Sequence, residues 1–390
     1  MKNCIRLLIV EDDKTEKATW LNQIEQHNAM AEDNDGFLLA CVFAETKDTA
    51  LKLIIDSDFD AAIVDLGLAT NEGFKDANSD GNDVVAALEN SELAVVVIYT
   101  GQPNDAMPTG SKVTVIPKAG VDGDGTKKVM TLLTESAPMI LTIREAEETI
   151  KREMAAMFSK SIWPRWKFWL ADKTHPDQEV SAAISRHLAS HVYATLLEKG
   201  EHKVLPEEWY FMPPIRDGLR TGDFVEMKNI IAESSELVIV VTPRCDLSNS
   251  TSKNETYQLA LCEDVSQEWT KRSTAYQEAI SQQQRDVENK DAKKALDTAK
   301  NRIRGFTQHK NNTNSCHFLP EIKMANGSTR GPFFVRFDKV YSFDRDSSEG
   351  QKLKDVIRLA SITPEFLPSM VERLGTYFSR IGTPDYSFSE

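Results

Sequence analysis

The run Ala61-Ala62-Ile63-Val64-Asp65 decides the fold. Four apolar residues without polar alternation suit a strand buried on both faces, the condition of a parallel sheet covered by helices. The run stops at a carboxylate, which puts Asp65 at the carboxyl edge of that sheet. Three other strand ends carry groups that a reactive aspartate can use. Glu11-Asp12 follows Leu7-Leu8-Ile9-Val10, Thr100 follows Val95-Val96-Val97-Ile98-Tyr99, and Lys118 follows Val113-Thr114-Val115-Ile116-Pro117. Ligands of open α/β sheets sit beyond the carboxyl ends of the strands, so acidic pair, aspartate, threonine and lysine read as one site.

Outward from this core, strands near 5–10, 37–43, 61–65, 94–99 and 113–117 alternate with helices near 14–28, 45–56 and 81–91. That alternation predicts a doubly wound parallel sheet. A further helix near 124–135 follows Gly123, with Asp124 as its cap. The loop after Asp65 is long, running through Thr70-Asn71-Glu72-Gly73-Phe74-Lys75-Asp76 before Asp80-Gly81-Asn82-Asp83 opens the next helix. Pro103, Pro108 and Gly110 make any helix between Thr100 and Lys118 short or absent.

One acid or lysine just past a strand is commonly structural, because solvent begins there. Four such groups, in order and on four separate strands, point instead to chemistry. Clustered carboxylates repel one another unless a cation joins them, and a hard octahedral ion such as Mg²⁺ takes carboxylate, carbonyl, water and phosphate oxygens. Phosphoryl transfer is mainly positioning and electrostatics, which an aspartate nucleophile, a lysine and a threonine hydroxyl can supply.

The ordered set Glu11-Asp12, Asp65, Thr100 and Lys118 resembles the receiver domain of two-component response regulators over residues 1–136. The resemblance implies a flavodoxin-like fold in which Asp65 accepts a phosphoryl group. Asp12 then binds Mg²⁺ directly, Glu11 binds it through water, and the backbone carbonyl of Gly67 is a further ligand. Thr100 and Lys118 meet the phosphoryl oxygens. A histidine kinase or phosphotransfer protein is the implied partner, an effector protein the implied target, and a homodimer the implied assembly. Similar atypical receivers occur in bacterial conflict systems, so the resemblance extends to antiviral defence. Two positions depart from the family: Ala119 stands where proline usually follows the lysine, and Val115 replaces the usual aromatic three positions before it.

The 390 residues carry a net charge of −14, and residues 1–135 hold 11 basic and 24 acidic side chains. Acidity concentrated in the first region fits a cation site and argues against nucleic acid as its partner. Cys4, Cys41, Cys245, Cys262 and Cys316 show no CxxC spacing, so no disulfide framework is expected. The apolar run at 5–10 is too short for a signal-peptide core and acids follow it at once, so the expected compartment is the cytoplasm.

Beyond the receiver-like region, a helical linker is expected at 137–203, starting at a boundary marked by Pro138. It contains an amphipathic helix over 140–160 and another over 178–199. The segment Trp163-Pro164-Arg165-Trp166-Lys167-Phe168-Trp169 could stack on bases, anchor at a lipid interface or wedge between domains; burial is the expectation, because its flanks are not broadly basic. Residues 204–346 read as a β-rich output module, an α+β region with a small β-barrel-like sheet and an inserted helical hairpin near 265–308. Helices return over 347–390.

The second half offers one candidate site, Thr242-Pro243-Arg244-Cys245-Asp246-Leu247, which weakly resembles a Cys-Asp element of uncharacterised bacterial β-rich modules. A thiol nucleophile there needs a base, for which His317 and His309 are candidates. A metal reading gathers Cys245, Cys262, Cys316 and His317. Against both, lone cysteines usually pack as small hydrophobes. Arg302, Arg304 and Lys310 near His309 close the hairpin and suit a helix C-terminus; no nucleic-acid-binding motif accompanies them. The output half therefore reads as an effector module, an enzyme acting on a nucleotide or other small molecule, or part of a phosphorylation-independent adaptor.

Overall fold

The computed structural model describes residues 3–33, 36–68, 79–91, 94–108, 110, 112–118, 125–171, 177–198, 204–215, 217–228, 235–248, 256–308, 314–354 and 356–379. The long loop after Asp65, Ala119, Asp124, His309 and Lys310 lie outside them. The chain divides into two compact units, Met1–Glu201 and His202–Glu390.

In the first unit the order is β1 (Cys4–Val10), α1 (Lys14–Asp33), β2 (Leu38–Ala44), α2 (Lys47–Asp56), β3 (Ala61–Val64), α3 (Ser79–Ser91), β4 (Val95–Thr100), β5 (Val113–Pro117) and α4 (Gly125–Met157). The five strands pair in parallel in the order β2-β1-β3-β4-β5. That is the flavodoxin-like order, with its reversal between β1 and β3. All four residues of β3 are buried, as its unbroken apolar run requires. One face packs Trp20 and Ile24 of α1 and Val129, Leu133, Ala137 and Ile140 of α4 against the sheet. The other packs Ala50 and Ile54 of α2 and Val84, Val85 and Leu88 of α3. Between β4 and β5 the described chain makes a single 3-10 turn, Pro103–Asp105.

Pro138 is not a boundary. It lies inside α4, which runs unbroken to Met157. Pro138 is on the solvent face while Leu133, Ala137 and Ile140 are buried, so the hydrogen bond it removes falls where water can replace it and packing carries the helix through. The second half of α4 is also tied to this unit. Arg144 donates to the Cys4 carbonyl oxygen and lies 3.4 Å from Asp60, while Lys151 pairs with Asp58 at 2.7 Å. A π-helical turn at Phe158–Ile162 follows, then α5 (Trp166–Ala171) and α6 (Asp177–Glu198). The expected burial of the aromatic segment is not observed: Trp163 is 64% exposed and Phe168 78%, while the buried position next to them is taken by Ile162 at the end of the π-turn.

The second unit is built on one sheet. Its elements are β6 (Tyr210–Phe211), β7 (Asp223–Lys228), β8 (Ser235–Val240), α7 (Arg244–Ser248), β9 (Thr256–Asp264), α8 (Ser266–Arg285), α9 (Lys290–Thr307), β10 (Cys316–Leu319), β11 (Ile322–Lys323), β12 (Thr329–Arg330), β13 (Phe333–Asp344), α10 (Ser348–Lys354), β14 (Arg358–Ile362) and α11 (Leu367–Phe378). Seven strands pair antiparallel in the order β10-β13-β9-β8-β7-β14-β6. No ladder joins β10 to β6 among the described residues, so the sheet is open where a barrel was expected. Strand β14 was also unanticipated, and it draws the C-terminal segment into this sheet instead of leaving it purely helical. Alternation along β7 and β8 sends Phe224 and Ile239 to the face covered by Met370 of α11, and Val225, Val238 and Val240 to the face covered by Leu353 of α10. Helices α8 and α9 form a hairpin between β9 and β10, closed at its base by stacking of Trp269 on Phe306 with centroids 6.2 Å apart.

Candidate functional site

The topological reversal places the carboxyl ends of β1 and β3 side by side, and three carboxylates meet there. Glu11, Asp12 and Asp65 each offer a ligand oxygen within 4.8 Å of the others. Glu11 is 2% exposed and Asp65 8%. The third acid of the Glu11-Asp12-Asp13 run does different work: Asp13 accepts from the backbone N–H groups of Thr15 at 2.7 Å and Glu16 at 3.1 Å, capping α1. Those bonds, Glu16 first, hold its carboxyl below the usual aspartate range.

Lys118 reaches the cluster from the end of β5. Its Nζ donates to Glu11 Oε2 at 2.6 Å and to Asp65 Oδ2 at 2.9 Å. Burial opposes the ammonium charge, but the two carboxylates more than offset it and raise the lysine's pKa above the ordinary value. Glu11 is shifted upward, chiefly by burial and despite its contact with Lys118. Among the described residues, three carboxylates and one ammonium meet here, a balance on the negative side. The donor set, all oxygen and hard, fits Mg²⁺. Gly67 lies in the bend just past Asp65, where the Leu68 N–H donates to the Leu66 carbonyl oxygen at 3.1 Å.

Thr100 closes β4, the strand paired with β3, is 2% exposed, and its hydroxyl oxygen accepts from the Gln102 N–H at 3.2 Å. The Thr100 carbonyl oxygen also accepts from the Lys118 N–H at 2.9 Å, which fixes the backbone that delivers the lysine. This sets where Lys118 leaves the sheet.

Three residues that sequence reasoning passed over shape the site. The Lys118 ammonium sits 5.6 Å from the centroid of Tyr99, so an aromatic ring does stand beside the lysine, supplied by β4 where Val115 of β5 lacks one. The Tyr99 hydroxyl is 3.1 Å from Thr126 Oγ1. Gly81 of α3 lies against the turn after β3: a Cβ there would be 2.4 Å from both the Asp65 carbonyl oxygen and Leu66 Cα. At Gly125 a Cβ would be 2.5 Å from the Pro117 carbonyl oxygen and 2.8 Å from the Tyr99 ring. Each glycine opens a helix next to an apolar strand end, a signal visible in the sequence but silent about which backbone it approaches.

The output candidates are not brought together. Cys245 and Asp246 are neighbours on α7, their Sγ and Oδ1 3.6 Å apart, and Cys245 is exposed. His317 is 3% exposed on β10, and three strand spacings, roughly 14 Å, separate β10 from β8, the strand that leads into α7. Cys262 and Cys316 are buried in the sheet, and burial pushes both thiols up in pKa. Among the described residues, Glu11, Asp12 and Asp65 make the one metal-competent group of acids, histidines and cysteines. No described helix is long and apolar enough to cross a membrane.

No protein-family model matches the chain, and no curated protein matches it. Solved structures do align with part of it. A response regulator protein from Burkholderia pseudomallei, with a phosphorylated aspartic acid, calcium ion and citrate, is 19% identical over 46% of this chain and 92% of that one, with a TM-score of 0.25. The Thermotoga maritima response regulator TrrA in complex with Mg(2+)-BeF is 19% identical over 33% of this chain and 99% of that one, at 0.21. A CheY-like receiver domain protein from Methanospirillum hungatei is 20% identical over 35% and 99%, at 0.23. At these scores the functional reading rests on the site's own geometry.

Proposed function

We propose that the first unit is a phosphoacceptor receiver in a signalling protein, with Asp65 as the nucleophile. The observation that carries this reading is Lys118 Nζ lying 2.6 Å from Glu11 and 2.9 Å from Asp65, in the same pocket as Asp12. An Asp65 carboxylate oxygen attacks the phosphorus of a phosphohistidine or acyl phosphate donor. The new P–O bond forms as the donor's P–N or P–O bond breaks, and the leaving group keeps the electron pair. Lys118 offsets charge on the phosphoryl oxygens, and the Thr100 hydroxyl offers them a hydrogen bond. Asp12, Asp65, the Gly67 carbonyl and, through water, Glu11 would hold Mg²⁺, which when bound neutralises further phosphoryl charge. The donor protein is then a histidine kinase or phosphotransfer protein, and the second unit is the output. A role in bacterial defence rests on the sequence resemblance alone.

Incubation with acetyl phosphate and Mg²⁺ followed by phosphate-affinity electrophoresis tests this. A retarded band is expected from the natural chain and none from Asp65→Asn or in EDTA. A band that survives Asp65→Asn assigns the phosphate elsewhere.

A further inference from the structure

The second unit carries an unbalanced cationic cleft that the receiver chemistry does not use. A cavity of about 470 Å³ is lined by Arg220, Arg244 and Arg345, with Asp217 as the one acidic side chain among the described residues, and with Tyr257 and Leu247. Its size is that of a small-molecule site. The three guanidinium groups are held in different ways. Arg345 is fixed: its guanidinium lies 4.9 Å from the Tyr257 centroid and donates to the Asp246 carbonyl oxygen at 2.7 Å. The Arg220 Nε is buried and meets no hydrogen-bond acceptor. Arg244 is exposed, and among the described residues neither it nor Arg220 has a carboxylate in ion-pair range. The nearby buried acid, Asp223, is already occupied by the Arg220 N–H, by Arg358 at 3.3 Å and by the Ser361 hydroxyl, so it does not neutralise the cleft.

Three guanidinium groups against one carboxylate repel one another unless an anion joins them, and planar guanidinium matches phosphate oxygens in a bidentate fashion. Arg220 and Arg244 also border a second cavity of about 460 Å³ whose walls are largely apolar, including Phe211, Ile215, Leu367 and Pro368. The two cavities share Arg220 and Arg244, whereas Arg345 lines only the first and Arg358 only the second. We propose that Arg220, Arg244 and Arg345 bind the phosphate of a small molecule whose apolar or aromatic body lies in the adjoining cavity. Nucleotides and phospholipid headgroups both present that chemistry. The assignment is independent of the receiver reading.

Binding of inorganic pyrophosphate, ATP and phosphatidate-containing phosphatidylcholine vesicles to the full chain, in EDTA so that the receiver's acids hold no cation, tests it. Saturable binding of one or more probes is expected, weakened about tenfold or more by Arg244→Glu and less by Arg244→Gln, whereas Lys339→Glu, the same charge change on an exposed residue of the same unit, leaves it within about twofold. Pyrophosphate or ATP binding assigns a soluble phosphate compound; binding to vesicles alone assigns a lipid headgroup. Failure of all three probes, or equal weakening by Lys339→Glu, overturns the proposal. Unchanged thermal melting of the Arg244 variants separates lost binding from lost folding. Asp65→Asn leaves this binding intact, so its outcome is separate from that of the phosphorylation assay.

Discussion

The two units bury charge in opposite ways. In the first, among the described residues, Glu11, Asp12 and Asp65 share one ammonium, that of Lys118. In the second, the fully buried Asp223 is matched by Arg358, a backbone N–H and the Ser361 hydroxyl. A buried charge with a complete set of partners stabilises its own surroundings, whereas a group left out of balance marks a place where something else binds. By that criterion Asp223 is structural, and the acidic pocket and arginine cleft are the candidate sites.

The largest expected effect falls on the balanced charge. Asp223→Ala leaves Arg358, only 15% exposed, facing an empty position, and should cost about 3–4 kcal/mol in urea unfolding of the second unit. A loss below about 1 kcal/mol would show that water already screens this pair and would blur the contrast. Next comes Gly81→Ala. Its Cβ has no space beside the Asp65 and Leu66 backbone, so about 2–3 kcal/mol of stability should go, together with most phosphoacceptance. Phosphorylation at the natural rate in that variant would show that the turn after Asp65 tolerates displacement.

Lys118→Met should cost about 2 kcal/mol, reduced from the value for a fully buried pair because the lysine side chain is 20% exposed. The sign of its pH dependence follows from Glu11, whose pKa burial already raises. Without the ammonium that carboxyl rises further, so the loss should be greatest at neutral pH and shrink as acid protonates it. A deficit that grows on acidification would contradict the charge assignment. Smallest is Asp12→Ala. It removes one of three repelling carboxylates, so the melting temperature in EDTA should hold or rise slightly, while the upward shift on adding Mg²⁺ should vanish. A Mg²⁺ shift that persists places the ion elsewhere.

The same contrast explains what the sequence disclosed. Parallel strands buried on both faces leave unbroken apolar runs, so the ends of β1, β3 and β4, and hence Glu11, Asp65 and Thr100, could be read directly; edge strand β5 is half exposed, yet its run Val113 to Pro117 is apolar enough to mark Lys118. The aromatic partner of Lys118 could not, because Tyr99 reaches it across strands and not along β5. Pro138 misled because its missing hydrogen bond falls on the solvent side of a helix whose other face is held by Leu133 and Ile140. In the antiparallel unit, β14 is five residues long and pairs with β7, more than a hundred positions earlier, a contact that periodicity does not encode. The arginines of the cleft come from three distant segments and converge only through that sheet. The Cys245–His317 pairing failed for a related reason: strand order places β10 and β8 three ladders apart.

Borohydride trapping after treatment with acetyl phosphate and Mg²⁺ puts the central claim most directly to the test, because reduction converts an aspartyl phosphate to homoserine at the position that carried it. Peptide mass spectrometry should find homoserine at position 65 alone. Homoserine at another acid, or none under conditions in which the chain is folded and Mg²⁺ is bound, would contradict the account.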